Sequence, residues 1–214
     1  MPFGYIGQNQ TKQQVKNSGV LSSFDISLLE KQGHAGGSLD LIEEQTYSST
    51  VAVVDFTSIK ESEYDVHYMT LSNMKTASDN HEPCNFQFYE GGTLETASVY
   101  QIAGLNNSTI SGLGNYERKS TGDSKINLNF GAGNTGGEQE NGYVYFYNLG
   151  NSSKYSFMTG QFLGLNNDGK IYTSFGGGVL PQASVVDGIR VKKNSGDYAG
   201  FNIKLYGVKQ IWVT

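Results

Sequence analysis

The chain has one cysteine, Cys84, so no disulfide can form within it and packing or partner chains must hold the fold. Proline and tryptophan are scarce, three and one in 214 residues. No window approaches about 18 consecutive apolar residues, which excludes a membrane-spanning helix. The opening MPFGYIGQNQTKQQ has no basic stretch followed by an apolar one. No secretory signal is therefore expected, and folding in a bacterial-type cytoplasm is. Charge is also sparse, at 16% of residues, with a net value of −5. That balance argues against a broad basic face for nucleic acid. The densest basic run, Arg190, Lys192 and Lys193 in IRVKK, alternates like a strand with a solvated face.

What the chain does have is 28 glycines, 14 tyrosines and 11 phenylalanines. Aromatic and β-branched residues suit a pleated, half-buried surface, and Gly, Asn and Ser supply the turns between strands. The clearest stretch is Gly142–Phe157, GYVYFYNLGNSSKYSF, which predicts a β-hairpin. Tyr143, Tyr145 and Tyr147 fall on one face of it, and Val144, Phe146 and Leu149 broadly on the other. The tyrosines are expected to pack within the sandwich or against a sister subunit. About ten short strands are expected from Ser38 onward, among them Ser49–Ile59, Ser62–Met69, Leu94–Ala103, Lys125–Phe130 and Phe201–Val213. In KINLNF, Ile126, Leu128 and Phe130 point inward, and Asn127 and Asn129 outward. Three segments read as loops: Ser72–Pro83, Gly104–Asp123 and Gly131–Gly142.

This spacing predicts an all-β fold, a jelly-roll-like antiparallel β-sandwich over residues 38–214. Residues 1–37 precede it as an N-terminal arm with one short helix, Ser22–Gln32, capped by Ser23 or Asp25 and ended by Gly33. In the arm, Phe3, Tyr5, Ile6, Val15, Val20 and Leu21 are isolated apolar residues. They suit either an extended segment docking on a neighbour or a terminus without order of its own.

Candidate chemistry is thin. His81 and Cys84 make half a zinc site without further ligands at partner spacing, and His34 and His67 are not placed to complete it. NFGAGNTGG at Asn129–Gly137 lacks the Lys and Ser/Thr of a phosphate loop and runs into Glu138-Gln139-Glu140. Asn166-Asn167-Asp168-Gly169 reads as a hairpin turn rather than a calcium loop. Glu43, Glu44, Glu61, Glu63, Asp65, Glu90 and Glu95 raise a glycosidase reading, which needs a carboxyl pair across a cleft. Tyr100, Asn106, Asn107, Asn115 and Tyr116 raise a sugar-binding surface, with sheet packing as the plainer reading. No catalytic, metal or cofactor residue is assigned.

The stretches PFGYIGQN, NSGVLSSFDI, KQGHAGGSLDLIEEQ, VDFTSIKESEYDVHY, GTLETASVYQ, ERKSTGDSKI, GYVYFYNLGNSSKYSFMTGQ, FGGGVLPQASVVDGIRV and IKLYGVK run through nearly the whole chain. Together they resemble a family of virion structural proteins of marine tailed bacteriophages. The resemblance implies a non-enzymatic capsid decoration, head-fibre or tail component with a jelly-roll-like domain. It implies a place on the virion after assembly in the host cytoplasm, with no nucleic acid or membrane bound. The implied partners are the major capsid protein or other virion proteins, bound through the N-terminal arm, and further copies of the chain, with a trimer favoured. The alternative it leaves open is a tail fibre or spike module that binds a host-surface glycan. The chain departs from the family mainly in SNMKTASDNHEPCNF and AGLNNSTISGLGN, so surface specificity stays open.

Overall fold

The computed structural model describes residues 22, 25, 27, 28, 37–78, 83–110 and 114–210. The chain divides into two compact units, Met1–Ser38 with Ile211–Thr214, and Leu39–Gln210. In the first, Asp25, Ser27 and Leu28 are helical. The cap is Ser22, one position ahead of the expected Ser23. Its Oγ accepts from the Asp25 N–H at 3.2 Å, and its own N–H donates to Asp25 Oδ2 at 3.0 Å. This reciprocal pairing satisfies two backbone donors that the first helical turn leaves free. The proposed arm contacts Phe3, Tyr5, Ile6, Val15, Val20 and Leu21 lie outside the described residues.

The second unit is an antiparallel β-sandwich. Its strands are β1 (Leu39–Tyr47), β2 (Val53–Phe56), β3 (Val66–Thr76), β4 (Cys84–Glu90), β5 (Thr93–Leu94), β6 (Tyr100–Ser108), β7 (Asn115–Asp123), β8 (Ile126–Asn127), β9 (Glu140–Tyr147), β10 (Tyr155–Leu165), β11 (Ile171–Ala183), β12 (Val186–Lys193) and β13 (Tyr198–Val208). The large sheet runs β1-β13-β3-β9-β10-β11-β6-β7, and the small one β2-β12-β4-β5, with β8 also on β4. The chain keeps crossing between the sheets, the jelly-roll-like feature.

Strict alternation on β9, β10 and β13 makes the core. Val144, Phe146, Phe162, Ile203 and Leu205 turn inward from the large sheet and are buried. They meet Phe86 and Phe88 of β4: Phe146 lies 6.0 Å, ring centre to ring centre, from each. Phe86 also reaches Phe162 at 6.2 Å. Such offset and edge-on pairs add to the apolar area they bury. Glycine on the inner face of the large sheet makes room for neighbouring aromatic side chains. A Cβ on Gly142 would sit 2.5 Å from Phe162 Cδ1, and one on Gly207 would sit 2.4 Å from the Tyr64 ring.

The expected hairpin is β9–β10, with Phe157 opposite Tyr147. Asn148 takes a positive φ of 63° to enter the turn, a conformation Asn tolerates better than most residues. The Asn166 turn joins β10 to β11, its Oδ1 accepting from the Asp168 and Lys170 N–H groups at 3.1 and 2.8 Å.

Three expectations need correction. Gly104–Asp123 is largely paired strand, the end of β6 and all of β7. Ser72–Pro83 likewise gives its first residues to β3, which reaches Thr76. In Lys125–Phe130 only Ile126 and Asn127 form a strand, and Asn127 and Asn129 are buried along with Ile126 and Leu128. That segment passes from the small sheet to the large one, so both of its sides meet protein.

Candidate functional site

The described chemistry falls in two places, a sealed polar network inside the sandwich and a flat face outside it. The network joins five strands at one end of the core. Glu140 of β9 is 1% exposed, and its Oε2 accepts from the Tyr172 hydroxyl of β11 and from Asn129 Nδ2. On β13 the Tyr198 hydroxyl donates to Cys84 Sγ of β4 at 3.3 Å. Lys193 Nζ of β12 lies 5.1 Å from the centre of the Tyr198 ring. Burial pushes the Glu140 carboxyl above its ordinary range, against the pull of the Lys193 charge and the two donors. Burial pushes the Cys84 thiol up to about 12. It also holds the Tyr172 and Tyr198 hydroxyls well above their usual value. A thiol this hard to ionise and this enclosed is a poor nucleophile. The Tyr198–Cys84 and Lys193–Tyr198 contacts cross from one sheet to the other, and the Glu140 group acts on them through charge.

The sequence-derived site residues are not brought together. Cys84 is wholly buried and His81 lies outside the described residues. Among the described residues no three His, Cys, Asp or Glu side chains cluster as metal ligands would. The surface carboxylates have separate partners: Glu44 pairs with Lys204 at 3.4 Å, Glu63 with Lys60 at 3.4 Å, and Glu95 accepts from Gln182 Nε2 at 3.2 Å. Of the sugar-surface set, Tyr100 and Asn106 are core residues. The Tyr100 hydroxyl accepts from the Phe88 N–H, and Asn106 Oδ1 accepts from the Ser174 hydroxyl. Asn115 and Tyr116 remain exposed on β7.

The outer face of the large sheet is where the hairpin tyrosines sit, not inside the sandwich. Register fixes its rows. One runs Tyr206, Tyr68, Tyr145, Thr159, Gly177, Ala103 across β13, β3, β9, β10, β11 and β6. The next runs Thr70, Tyr143, Gln161, Phe175, Leu105, and on the other side lies Val66, Tyr147, Phe157, Val179, Gln101. A fourth holds Asn141, Leu163, Thr173 and Asn107. None of these residues is charged. Charge returns at the two sides as ion pairs, Lys204 of β13, next to Thr70 in its row, with Glu44 of β1, and Lys119 with Glu117 of β7 at 2.8 Å.

The tyrosines form a ridge. Tyr68 lies 4.7 Å from Tyr145, 6.2 Å from Tyr143 and 6.1 Å from Tyr206, and Tyr145 lies 6.4 Å from Tyr147. Phe157, Leu163 and Phe175 are 44%, 49% and 47% exposed beside it. On the far half of the face, Gly177 and Ala103 leave a shallow dip of about 380 Å³ bordered by Phe157, Val179 and Gln101. Alternation revealed the tyrosine side of β9, but only the pairing register shows that ridge and dip share one row. Exposed apolar and aromatic surface of this extent marks an interaction face in a folded protein.

Comparison with family models, with curated proteins and with solved structures returns no match to the chain.

Proposed function

We propose that the protein is a non-enzymatic structural component of a tailed-phage particle, a capsid-surface decoration or head-fibre element. It assembles with a second copy of itself through the outer face of its large sheet. The particle and the capsid partner come from the resemblance of the quoted stretches. The mode of assembly comes from one observation: the row that carries Tyr206, Tyr68 and Tyr145 at one end carries Gly177 and Ala103 at the other. A two-fold axis near Thr159 lays the tyrosine ridge of each copy over the dip of the other, the self-complementarity an isologous contact requires.

Size is compatible with the same reading, and charge supports it. Six strands about 4.8 Å apart, over seven residues at about 3.3 Å each, span roughly 24 by 20 Å. That footprint, roughly 480 Å² before its relief is counted, is a little over half of the ~800 Å² per partner of a standard interface. An uncharged face needs no oppositely charged partner, so a copy of itself serves. The buried state of Glu140 and Cys84 supports the non-enzymatic part, since neither can meet a substrate without opening the core.

Two measurements test this. Light scattering behind gel filtration should read two copies for the wild type and one for Thr159→Lys, which places two ammonium groups together at the axis. Phage particles lacking the protein should take up the wild type in a pull-down. A wild type that is monomeric at micromolar concentration and fails to bind such particles removes the proposal.

A further inference from the structure

The chain has two arginines, and both sit over a tyrosine ring. Arg190 lies 5.5 Å from the centre of Tyr89, and Arg118 lies 5.6 Å from that of Tyr116. At Arg190 the arrangement is complete. Its Nε and Nη2 donate to Asp55 Oδ1 and Oδ2, each at 2.7 Å, and the Tyr89 hydroxyl accepts a further bond. This is the forked pairing for which guanidinium and carboxylate are shaped.

At Arg118 the tyrosine is present, but no carboxylate is hydrogen-bonded to it; Asp123 acts on it only through its charge. None of the hydrogen bonds and ion pairs among the described residues engages its guanidinium, and Nε is buried with nothing to donate to. Burial pushes its pKa down, whereas the Asp55 carboxylate beside Arg190 holds that one up. A partly desolvated guanidinium with no anion forked onto it carries a cost that an arriving carboxylate relieves.

Arg118 lines an open groove of about 520 Å³ at the β7 edge, together with Tyr116, Asp123, Lys125, Asn127 and Asn194. The volume is within the usual range for small-molecule sites, ~300–1,000 Å³. Glu117 and Lys119 on its rim neutralise each other at 2.8 Å. The Lys125 ammonium donates to Asn194 Oδ1. Two cations, Arg118 and Lys125, are thus left with one carboxylate, Asp123.

We propose that this groove binds an acidic saccharide. The sugar carboxylate forks onto Arg118, as Asp55 does onto Arg190. Its hydroxyls lie within reach of Asp123 and the amides of Asn127 and Asn194, and its apolar ring face has the exposed part of Tyr116 to rest on. The acceptor Asp123 decides against an acidic protein side chain. A glycan hydroxyl donates to Asp123, while a second carboxylate meets it with no donor. The site is on the β7 edge and borders the assembly face, with Ile102 and Ser120 lining both the groove and the dip.

The test is a calorimetric titration of the full chain with trigalacturonate and with its neutral methyl ester. Trigalacturonate should bind at least about tenfold more tightly than the ester, and Arg118→Gln should lose at least about tenfold in affinity, the usual scale for a charged hydrogen-bonded contact. Arg118→Lys should recover only part of it, because an ammonium cannot fork. Thr159→Lys, on the assembly face, should bind as the wild type does. Lys125→Ala provides a second variant with the same expected direction should Arg118→Gln fail to fold. Equal affinity for acid and ester, or for wild type and Arg118→Gln, overturns the proposal. So does the absence of heat with trigalacturonate at about 10 mM, beyond even a weak ~1 mM site. Tighter binding of a glutamate-rich peptide overturns the saccharide assignment.

Discussion

Replacing Phe146 by alanine removes a ring that is wholly buried between the two sheets, 6.0 Å from both Phe86 and Phe88. The cavity cannot close without moving β4 toward β9, and those strands belong to different sheets. The expected cost is about 3–5 kcal/mol, the range for buried Phe→Ala. In a chain of this size each kcal/mol is about 2–4 °C in melting temperature, so the midpoint should fall by roughly 6–20 °C. The neighbour Tyr145 supplies the internal control. It faces the opposite way and stacks on Tyr68 at 4.7 Å, so Tyr145→Ala should cost only about 0.5–1.5 kcal/mol. Urea unfolding followed by circular dichroism, with both substitutions made on the Thr159→Lys background that is expected to be monomeric, reads both numbers without confounding them with association. An unchanged slope would show that the denatured state is not what moved. A Phe146→Ala midpoint within about 1 kcal/mol of the Thr159→Lys parent, or a larger loss from Tyr145→Ala, would refute the assignment of faces on this strand.

Other expectations follow from the same packing. Gly142→Ala places a methyl 2.5 Å from the Phe162 ring, and should cost about 1–3 kcal/mol in the same unfolding assay. Folding raises the Glu140 pKa above its ordinary 4.5, so its contribution is complete below 4.5 and is lost as pH rises through the folded value. Glu140→Gln, which keeps an acceptor for Tyr172 and Asn129, should therefore show a flatter stability profile than wild type above pH 4.5; identical profiles would mean that Glu140 does not change its protonation on folding. Cys84, buried and with its thiol pushed up to about 12, should resist aromatic disulfide reagents at pH 8 until the protein unfolds, and labelling of the native protein within minutes would contradict its placement.

The hairpin was legible because β9 and β10 are central strands with one buried face, where period-2 alternation is strongest. Val144 and Phe146 separate from Tyr143, Tyr145 and Tyr147 without any structural knowledge. β7 was not legible, because NYERKSTGD is an edge strand with Glu117 and Lys119 in solvent and no apolar alternation to mark it. Its mixed charges are what an edge strand uses to discourage unwanted pairing. Asn127 and Asn129 were misplaced for a different reason. Alternation assumes one wet face, and a segment crossing between sheets has none. Glu140 stands just past a glycine-rich loop and looks solvated, and only the fold brings Tyr172, Asn129 and Lys193 to it from other parts of the chain. The ridge and the dip lie in sequence segments far apart, so their shared row emerged from register alone.

The most direct test of self-assembly is the molar mass of the purified protein by light scattering at micromolar concentration, for the wild type and for Thr159→Lys. Two copies for the wild type and one for the variant, with unchanged circular dichroism, is the result expected from the ridge and dip on one row. A wild-type monomer, or an assembly that Thr159→Lys leaves intact, would contradict it.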